Sequence, residues 1–345
     1  MTLNQSADNE TARRDARWLT PTLLLALLVA MMVALAVGSV AISPAKIVQA
    51  LLGQSHDDVT SQILFDARLP RILAAGFVGA ALALAGLASQ TLFRNPLASP
   101  SVIGVSNGAA LGAVVGVLLS ARFNHEGYGL SVLLSLGGGL AVTALVFALG
   151  KGGRYFGHAL LLAGIAVAAL CSALTTAMLY LAGERLQSIV FWLMGGLWLA
   201  NWREALLVAP VTLLGLVTLF VWSRDLNVAL LGERSARDLG LDLPRLQRRL
   251  LLLIAVLTSV AVSVSGVIGF IGLIVPHLLR LITGADHRRL VVPTALGGAL
   301  LLILADTCAR TLASPAEIPV GIFTAVTGAS VFLWLLQKRR PVGTP

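Results

Sequence analysis

Apolar stretches of about twenty residues recur along this chain, and they constrain its fold more than any other feature of the sequence. Inside the hydrocarbon core of a bilayer, every backbone polar group must find its partner within the segment, so a stretch of this length crosses as an α-helix. The sequence therefore predicts an all-α polytopic membrane protein. We place ten spans near residues 19–42, 69–92, 101–120, 129–149, 157–182, 202–222, 248–266, 268–283, 290–312 and 319–337.

Lysine and arginine fall unevenly in the gaps between these stretches. One alternate set of gaps and ends holds most of the 25 basic residues, whereas the other set holds only Lys46, Arg68, Arg71, Arg122, Arg185, Arg203 and Arg310. Basic residues collect on the cytoplasmic side of a membrane protein. The pattern predicts that both termini lie in the cytoplasm, which an even number of spans requires.

The composition leaves little sequence for a soluble domain, because 57% of the residues are hydrophobic and only 12% are charged. The longest polar interval, 223–247, is shorter than the ~40 residues that usually fold alone. We expect one transmembrane domain over 19–337, in which 223–247 is a cytoplasmic loop, with cytoplasmic tails at 1–18 and 338–345. Membrane topology and anionic lipid explain the net charge of +9, so no nucleic-acid partner is expected.

The chain carries no motif for nucleotide or metal chemistry. A phosphate-binding loop needs a lysine followed by serine or threonine, and none of Lys46, Lys151 and Lys338 has that neighbour. His277 and His287 are not part of a cluster with zinc spacing. We therefore expect no catalytic residue and no metal site on this chain.

Acidic residues are almost missing from the predicted spans. Asp306 is the only acid well inside one, and it precedes Arg310 by four residues, so the two can pair along one helix face. Ion-coupled transporters bind their coupling ion near the middle of the membrane. The scarcity of acids therefore disfavours an ion-coupled secondary transporter.

The sequence Arg68-Leu69-Pro70-Arg71 places two arginines on the predicted outer side, where basic residues are scarce. Pro70 suits the first turn of a helix, so the second span is predicted to begin there. The arginines then stand at the positive end of a helix, which disfavours them. They either extend to the membrane interface or bind carboxylates of an external partner.

A short cytoplasmic helix is predicted between Leu230 and Gly240. Glu233 favours its start, Arg237 lies one turn later with opposite charge, and Gly240 favours its end. Such a helix is either a solvated loop element or a plug that inserts into a soluble partner. The sequence leaves both interpretations open.

Hydroxyl groups follow one face of the fifth span, at Ser172, Thr175, Thr176 and Tyr180. They either bond back to carbonyls of their own helix or form the weakly polar lining of a substrate path. In the third span Gly104, Gly108, Gly112 and Gly116 recur every four residues, which predicts close helix packing. An inverted repeat of 69–182 and 248–337 is a further hypothesis.

Taken in order, several motifs resemble one family. The chain is similar to the permease subunit of type II ATP-binding-cassette importers, the group that moves iron chelates, haem and cobalamin. The resembling segments are RLPR (68–71), LFRNPLASPSVIGVSNGAALG (92–112), FWLMGGLW (191–198), LGERSARDLGL (231–241), GVIGFIGLIVPHLLRL (266–281), DHRRL (286–290) and ADTCARTLASPAEIPVGIFTAVTGASVFLWLL (305–336).

The resemblance implies a ten-span type II importer permease in a bacterial inner membrane. The implied partners are a second permease copy, two cytoplasmic ATPase subunits that bind ATP and Mg, and a periplasmic substrate-binding protein. Arg68, Arg71 and Arg310 would dock acidic residues of the binding protein. The helix that couples to the ATPase would comprise Gly232, Glu233, Ser235, Ala236, Arg237, Leu239 and Gly240.

The implied cargo is an iron chelate, either a ferric siderophore or haem, and this chain would hydrolyse no ATP. The cargo path would follow the dimer axis beside the fifth span and its four hydroxyl residues. Cobalamin is the alternative cargo, and an ion-coupled secondary transporter is the alternative of a different class.

Overall fold

The computed structural model describes residues 3–38, 40–54, 58–123, 129–150, 156–314 and 316–338, and within them all regular structure is helical. Ten helices lie at the positions of the ten predicted spans. They are α1 (Leu3–Ala36), α4 (Leu69–Leu92), α5 (Val105–Arg122), α6 (Gly129–Gly150), α7 (Phe156–Tyr180), α9 (Trp202–Val221), α12 (Leu243–Ser265), α13 (Ile271–Thr283), α14 (His287–Thr311) and α15 (Val320–Lys338).

Seven of these segments are long and apolar enough to cross a membrane, whereas the apolar parts of α5, α13 and α15 are shorter. The all-helical membrane architecture is confirmed, while the count of ten crossings, the domain limits and the side of the termini stay predictions. Shorter helices fill the connections: α2 (Pro44–Leu51), α3 (Asp58–Gln62), α8 (Leu186–Leu193), α10 (Ser223–Leu230) and α11 (Glu233–Asp238).

The α4 helix begins at Leu69 with Pro70 in its first turn, as the sequence predicts, but it has no free end there. Helical structure begins at Asp58 and runs through α3 and a π-helical turn, Ile63–Arg68, directly into α4. Proline removes a hydrogen bond from an α-helix, and the wider turn accommodates it: Leu69 N–H donates to Leu64 O, five residues back. The arginines on either side therefore lie inside a continuous helix rather than at its positive end.

The α4 helix is the centre of the bundle, and it packs against α9, α12, α13 and α14. Glycines allow the closest of these crossings. A Cβ atom added to Gly79 would stand 2.2 Å from Gly298 O on α14, and one added to Gly86 would stand 1.8 Å from Gly272 O on α13. Only glycine allows backbones to approach this closely, so these crossings fix the relative position of the helices.

The glycine stripe of the third span forms a packing seam, as its spacing predicts. Gly108, Gly112 and Gly116 pack against the α6 backbone, where an added Cβ would lie within 2.7 Å of a main-chain atom. Gly104 differs, because it precedes α5 in a left-handed conformation with φ of +82°. It lies beside Gly164 and Ala168 of α7 instead.

Two halves of the chain repeat the same packing pattern. The α4 helix contacts α13 and α14, while α12 contacts the corresponding helices of the other half, α5 and α6. A left-handed residue precedes both α5 and α13: Gly104 in the first half and Phe270, with φ of +68°, in the second. The first helix of each half thus packs against the second and third helices of the other half. This symmetry supports the hypothesis of a repeat between 69–182 and 248–337.

The Gly79–Gly298 crossing generates a stability prediction. Gly79→Ala should lower the free energy of unfolding by about 1–3 kcal/mol, because the new methyl group must displace the α14 backbone. The measurement is the thermal unfolding midpoint of the purified chain in detergent. Gly137→Ala is the matched control, since a Cβ there meets nothing within 4 Å. Equal midpoints for the two variants would contradict a tight α4–α14 contact.

Candidate functional site

The α11 helix is a short exposed element held at both ends by glycine. Gly232 before it and Gly240 after it have φ values of +101° and +79°, which favour glycine. Glu233 and Arg237 form the predicted ion pair at 3.4 Å on the exposed side. The predicted short helix is therefore confirmed, and its contact with an ATPase stays a prediction.

One side of α11 is anchored to the bundle and the other side faces outward. Ala236 is fully buried, and α11 contacts α12 of the bundle. Leu231 and Leu239 are both more than 60% exposed although they are apolar. Exposed apolar side chains beside exposed charges form a surface suited to a protein partner.

A buried hydrogen-bond network joins the segment before α11 to two long helices. Asn227 of α10 donates to Asp286 Oδ1 at 2.6 Å and accepts from the His287 backbone N–H at 2.9 Å. His287 Nδ1 lies 2.8 Å from Asn227 Oδ1, and His287 Nε2 lies 2.8 Å from Thr91 Oγ1 at the end of α4. The network thus ties α10 to the end of α4 and the start of α14.

The network also determines which ring nitrogen of His287 carries the proton. Because the Asn227 amide nitrogen donates to Asp286, its oxygen faces His287 and can only accept. In the neutral ring the proton is therefore on Nδ1, and Nε2 faces the Thr91 hydroxyl as an acceptor. That hydroxyl also lies 3.0 Å from Leu87 O of its own helix and donates its single proton to one of the two acceptors at a time. The sequence analysis considered His287 only as a metal ligand and missed this role. The Asp-His pair at the start of α14 was the available signal.

Asp286 caps α14 from outside the membrane-spanning segment. Burial alone would raise the pKa of its carboxyl group, but the hydrogen bonds from Asn227 and the Arg288 N–H, with the charges of Arg288 and Arg289, hold that pKa below its usual value. The carboxylate is therefore ionised at neutral pH, where it orients Asn227.

At the other end of α4 and α14, Arg71 binds two acidic side chains. Its guanidinium group donates to Asp306 at 2.9 and 3.0 Å and to Glu317 at 2.9 and 3.1 Å. Asp306 is almost fully buried, whereas Glu317 is partly exposed. Asp306 therefore pairs with Arg71 of a different helix, and the predicted local pair with Arg310 is wrong.

Arg68 and Arg310 are also turned into the protein. Arg68 donates to Leu35 O and Val40 O, and Arg310 donates to Ala34 O. These carbonyls belong to the last turn of α1 and the residues after it, which leave acceptors unsatisfied at a helix end. Both arginines are less than 10% exposed, so in this structure they fasten α1 rather than form an outer rim. Their docking role stays a prediction.

The hydroxyl face of α7 divides between the two interpretations. Thr175 donates to Cys171 O at 2.8 Å and Thr176 donates to Ser172 O at 3.0 Å, which are back-bonds within the helix. Ser172 instead accepts from the Asn107 side chain of α5 at 2.8 Å. Tyr180 is 89% exposed. A role for this face in transport stays a prediction.

The buried network gives a second prediction. Thr91→Val should lower the free energy of unfolding by about 1–3 kcal/mol, because it leaves the His287 ring nitrogen buried without a partner. Thr294→Val is the matched control: Thr294 is equally buried on α14 but bonds only to Leu290 O of its own helix. Chemical or thermal unfolding of both purified variants measures the difference. A larger loss for Thr294→Val would contradict the network.

Comparison with known proteins gives a consistent result over nearly the whole chain. The model of the FecCD transport family matches residues 25–338. The hemin transport system permease protein HmuU of Yersinia pestis is 43% identical over 93% of this chain and 97% of its own length. The vitamin B12 import system permease protein BtuC of Salmonella typhi is 40% identical over 94% and 96%.

A solved structure agrees with the observed packing. An inward-facing metal-chelate type ABC transporter superposes with a TM-score of 0.82 at 37% identity, covering 92% of this chain and 98% of that one. PsaBC from Streptococcus pneumoniae, at 17% identity and a TM-score of 0.53, shares the fold alone.

Proposed function

This chain belongs to the FecCD transport family, and we propose that it carries an iron chelate, a ferric siderophore or haem, as one of two identical permease subunits. The family establishes that it is an ABC importer permease and a multi-pass protein of the inner membrane. The ion-coupled secondary transporter is therefore no longer an alternative. The observation that carries the proposal is the similarity to a haem permease and to a metal-chelate transporter over nearly the full chain.

Cobalamin is the second candidate cargo, because the BtuC relatives are only slightly less similar than the haem relative. The two relatives have nearly the same identity to this chain over more than nine-tenths of its length, so overall identity does not separate the two cargoes. We place selection of the cargo mainly in the periplasmic binding protein. The permease then needs a path that binds the cargo weakly.

In the proposed assembly ten spans cross the membrane, both termini are cytoplasmic, and two ATPase subunits contact α11. ATP and Mg bind to those subunits, and this chain supplies neither a phosphate-binding loop nor a metal cluster among its described residues. The exposed leucines beside α11 and its ionic face provide the contact surface. The residues assigned to this contact remain Gly232, Glu233, Ser235, Ala236, Arg237, Leu239 and Gly240.

The buried network supplies a route for movement from α11 into the membrane domain. A displacement of α11 acts on α10, and Asn227 transmits it to His287 of α14 and, through His287, to Thr91 of α4. The 24 residues of α4 extend over about 36 Å, and Arg71 lies at the far end. Nucleotide binding in the ATPase would thus change the position of the arginine end of the bundle.

Docking of the binding protein is proposed at that far end. Glu317 is the partly exposed member of the Arg71 cluster, so an incoming carboxylate would replace Glu317 and leave Asp306 in place. Arg68 and Arg310 would take part only after α1 moves, because its last carbonyls occupy both. We propose the α7 face with Ser172, Thr175, Thr176 and Tyr180 as the cargo path.

Uptake measurements test the proposed cargo. A strain without this gene should lose ATP-dependent uptake of one labelled ferric siderophore or of haem, and a plasmid copy should restore it. Cobalamin uptake is measured in parallel with and without ATP depletion. Loss of cobalamin uptake alone would overturn the iron-chelate proposal in favour of the second candidate.

A charge reversal tests the coupling helix. Glu233→Arg should retain a folded permease but abolish co-purification of the ATPase, because it reverses the charge at the start of α11 and breaks its ion pair with Arg237. Thermal unfolding of the variant checks the fold. Arg245→Glu is a control, since Arg245 is exposed and pairs with Asp242 outside α11. Full retention of both ATPase and uptake in Glu233→Arg would contradict the assignment.

A further inference from the structure

Two arginines on the second turn of α12 have no acidic partner. Arg248 and Arg249 are both exposed, and no carboxylate in the described part of the chain forms an ion pair with either. Arg248 donates from Nε to Pro244 O at 3.3 Å, which leaves its terminal N–H groups without a partner in that part of the chain. Arg245, one turn earlier, differs because it pairs with Asp242 at 3.4 Å. Arg248 and Arg249 therefore place two uncompensated positive charges side by side.

The end of α9 holds Arg249 in position. The guanidinium carbon of Arg249 lies 5.9 Å from the centre of the Trp222 ring, and Trp222 directly follows the last residue of α9. A cation above an aromatic face is attracted by the electrons of the ring. Tryptophan is also enriched at the depth of the lipid headgroups. The contact therefore keeps Arg249 near headgroup depth without neutralising its charge.

Exposed apolar surface continues from the arginines into the span. Leu252 follows Arg248 and Arg249 by four and three residues, so it lies on the same side of α12, and it is 63% exposed. After Leu252 no described residue of α12 is exposed, so lipid reaches this helix only near its start. Phe220 and Val221 at the end of α9 are exposed as well. Positive charge and exposed apolar side chains thus adjoin where α9 ends and α12 begins.

An anionic phospholipid combines the two chemistries that this surface offers. Guanidinium groups bind phosphate oxygens through paired, charge-assisted hydrogen bonds, and basic pockets between membrane helices bind anionic headgroups. The exposed side chains of Phe220, Val221 and Leu252 are available to acyl chains. A zwitterionic lipid brings a positive group toward the two arginines, so repulsion weakens its binding.

A soluble partner matches the same surface less well. Phe220 and Leu252 belong to Trp202–Val221 and Leu243–Ser265, which are both long and apolar enough to cross a membrane. A soluble protein can reach the arginines but not the apolar side chains that lie in the hydrocarbon beyond them. A phospholipid contacts both parts at once.

We propose that the end of α9 and the start of α12 bind an anionic phospholipid, with its phosphate on Arg248 and Arg249 and an acyl chain along Leu252. The site lies outside the residues that we assign to the ATPase, the binding protein and the cargo. It therefore does not depend on the proposed function.

Quenching of Trp222 fluorescence by brominated lipid tests the site. The full-length chain is placed in phosphatidylcholine nanodiscs that contain brominated phosphatidylglycerol or, at equal mole fraction, brominated phosphatidylcholine. Because the chain has six tryptophans, Trp222→Phe is measured in parallel, and the difference between the two proteins gives the quenching at Trp222. Brominated phosphatidylglycerol should quench Trp222 at least about threefold more strongly than brominated phosphatidylcholine. Equal quenching by the two lipids would overturn the site.

Charge removal tests the role of the two arginines. Arg248→Gln combined with Arg249→Gln should make the two lipids equal quenchers of Trp222, because it removes both phosphate-binding groups. Arg288→Gln combined with Arg289→Gln is the matched control: it removes the same charge from another exposed pair, at the start of α14, and should keep the preference. Each double variant is measured with its Trp222→Phe counterpart, and thermal unfolding checks the fold. A preference that persists without Arg248 and Arg249, or that both double variants lose equally, would contradict the site.

Co-purification distinguishes a lipid from a protein partner. The variant that lacks Arg248 and Arg249 should retain the ATPase, because the surface binds lipid. Loss of the ATPase with an unchanged lipid preference would assign the two arginines to the ATPase contact and overturn the lipid site. None of these measurements needs uptake, so a wrong cargo and a wrong lipid site give different results.

Discussion

The close approach of α4 to α14 at Gly79 and Gly298 is the contact on which the rest of the structure depends. An added Cβ at either glycine would fall 2.2–2.3 Å from the carbonyl oxygen of the other, so the two backbones touch directly. Lipid tails are as apolar as the helix surfaces, so the hydrophobic effect does not drive the helices together. Close packing of this kind stabilises their association instead. With the crossing fixed, Thr91 reaches His287 at one end of the pair and Arg71 reaches Asp306 at the other.

Polar side chains stabilise the same pair at both ends rather than along its length. Burying a charge in an apolar medium is unfavourable unless it is paired and hydrogen-bonded, and Asp306 satisfies that condition through a bidentate contact with Arg71. Arg68 and Arg310 satisfy free carbonyls at the end of α1. The α1 helix is therefore attached through two of the arginines for which the resemblance implies a docking role, so docking and the position of α1 are linked in our proposal.

Several features could be predicted from the sequence because they depend only on the spacing of residues within one segment. The length of each apolar stretch located the helices, and the spacing of Glu233, Arg237 and Gly240 located α11 and its ion pair. The fourfold spacing of Gly108, Gly112 and Gly116 predicted the seam against α6. Each of these follows from helix geometry within one segment, which needs no knowledge of neighbouring helices.

Other features were set by contacts between segments distant in sequence. Pro70 marked the start of α4, but the sequence did not show that a π-helical turn precedes α4 without a break. Asp306 had Arg310 as its nearest cation along the chain, yet Arg71 of another helix is closer in space. Likewise, the Asp-His pair marked His287 as a candidate, but its partners Thr91 and Asn227 lie on other helices and only the packing brings them to it.

The sequence by itself determined that this chain is a helical membrane protein, because bilayer thickness and backbone hydrogen bonding act on each stretch separately. Its ordered motifs carried the resemblance to the importer-permease family. Only the tertiary structure decided which buried polar groups are partners. In a low-dielectric interior each such group pairs with whatever donor or acceptor the packing brings near, and in this bundle the glycine crossings set that packing.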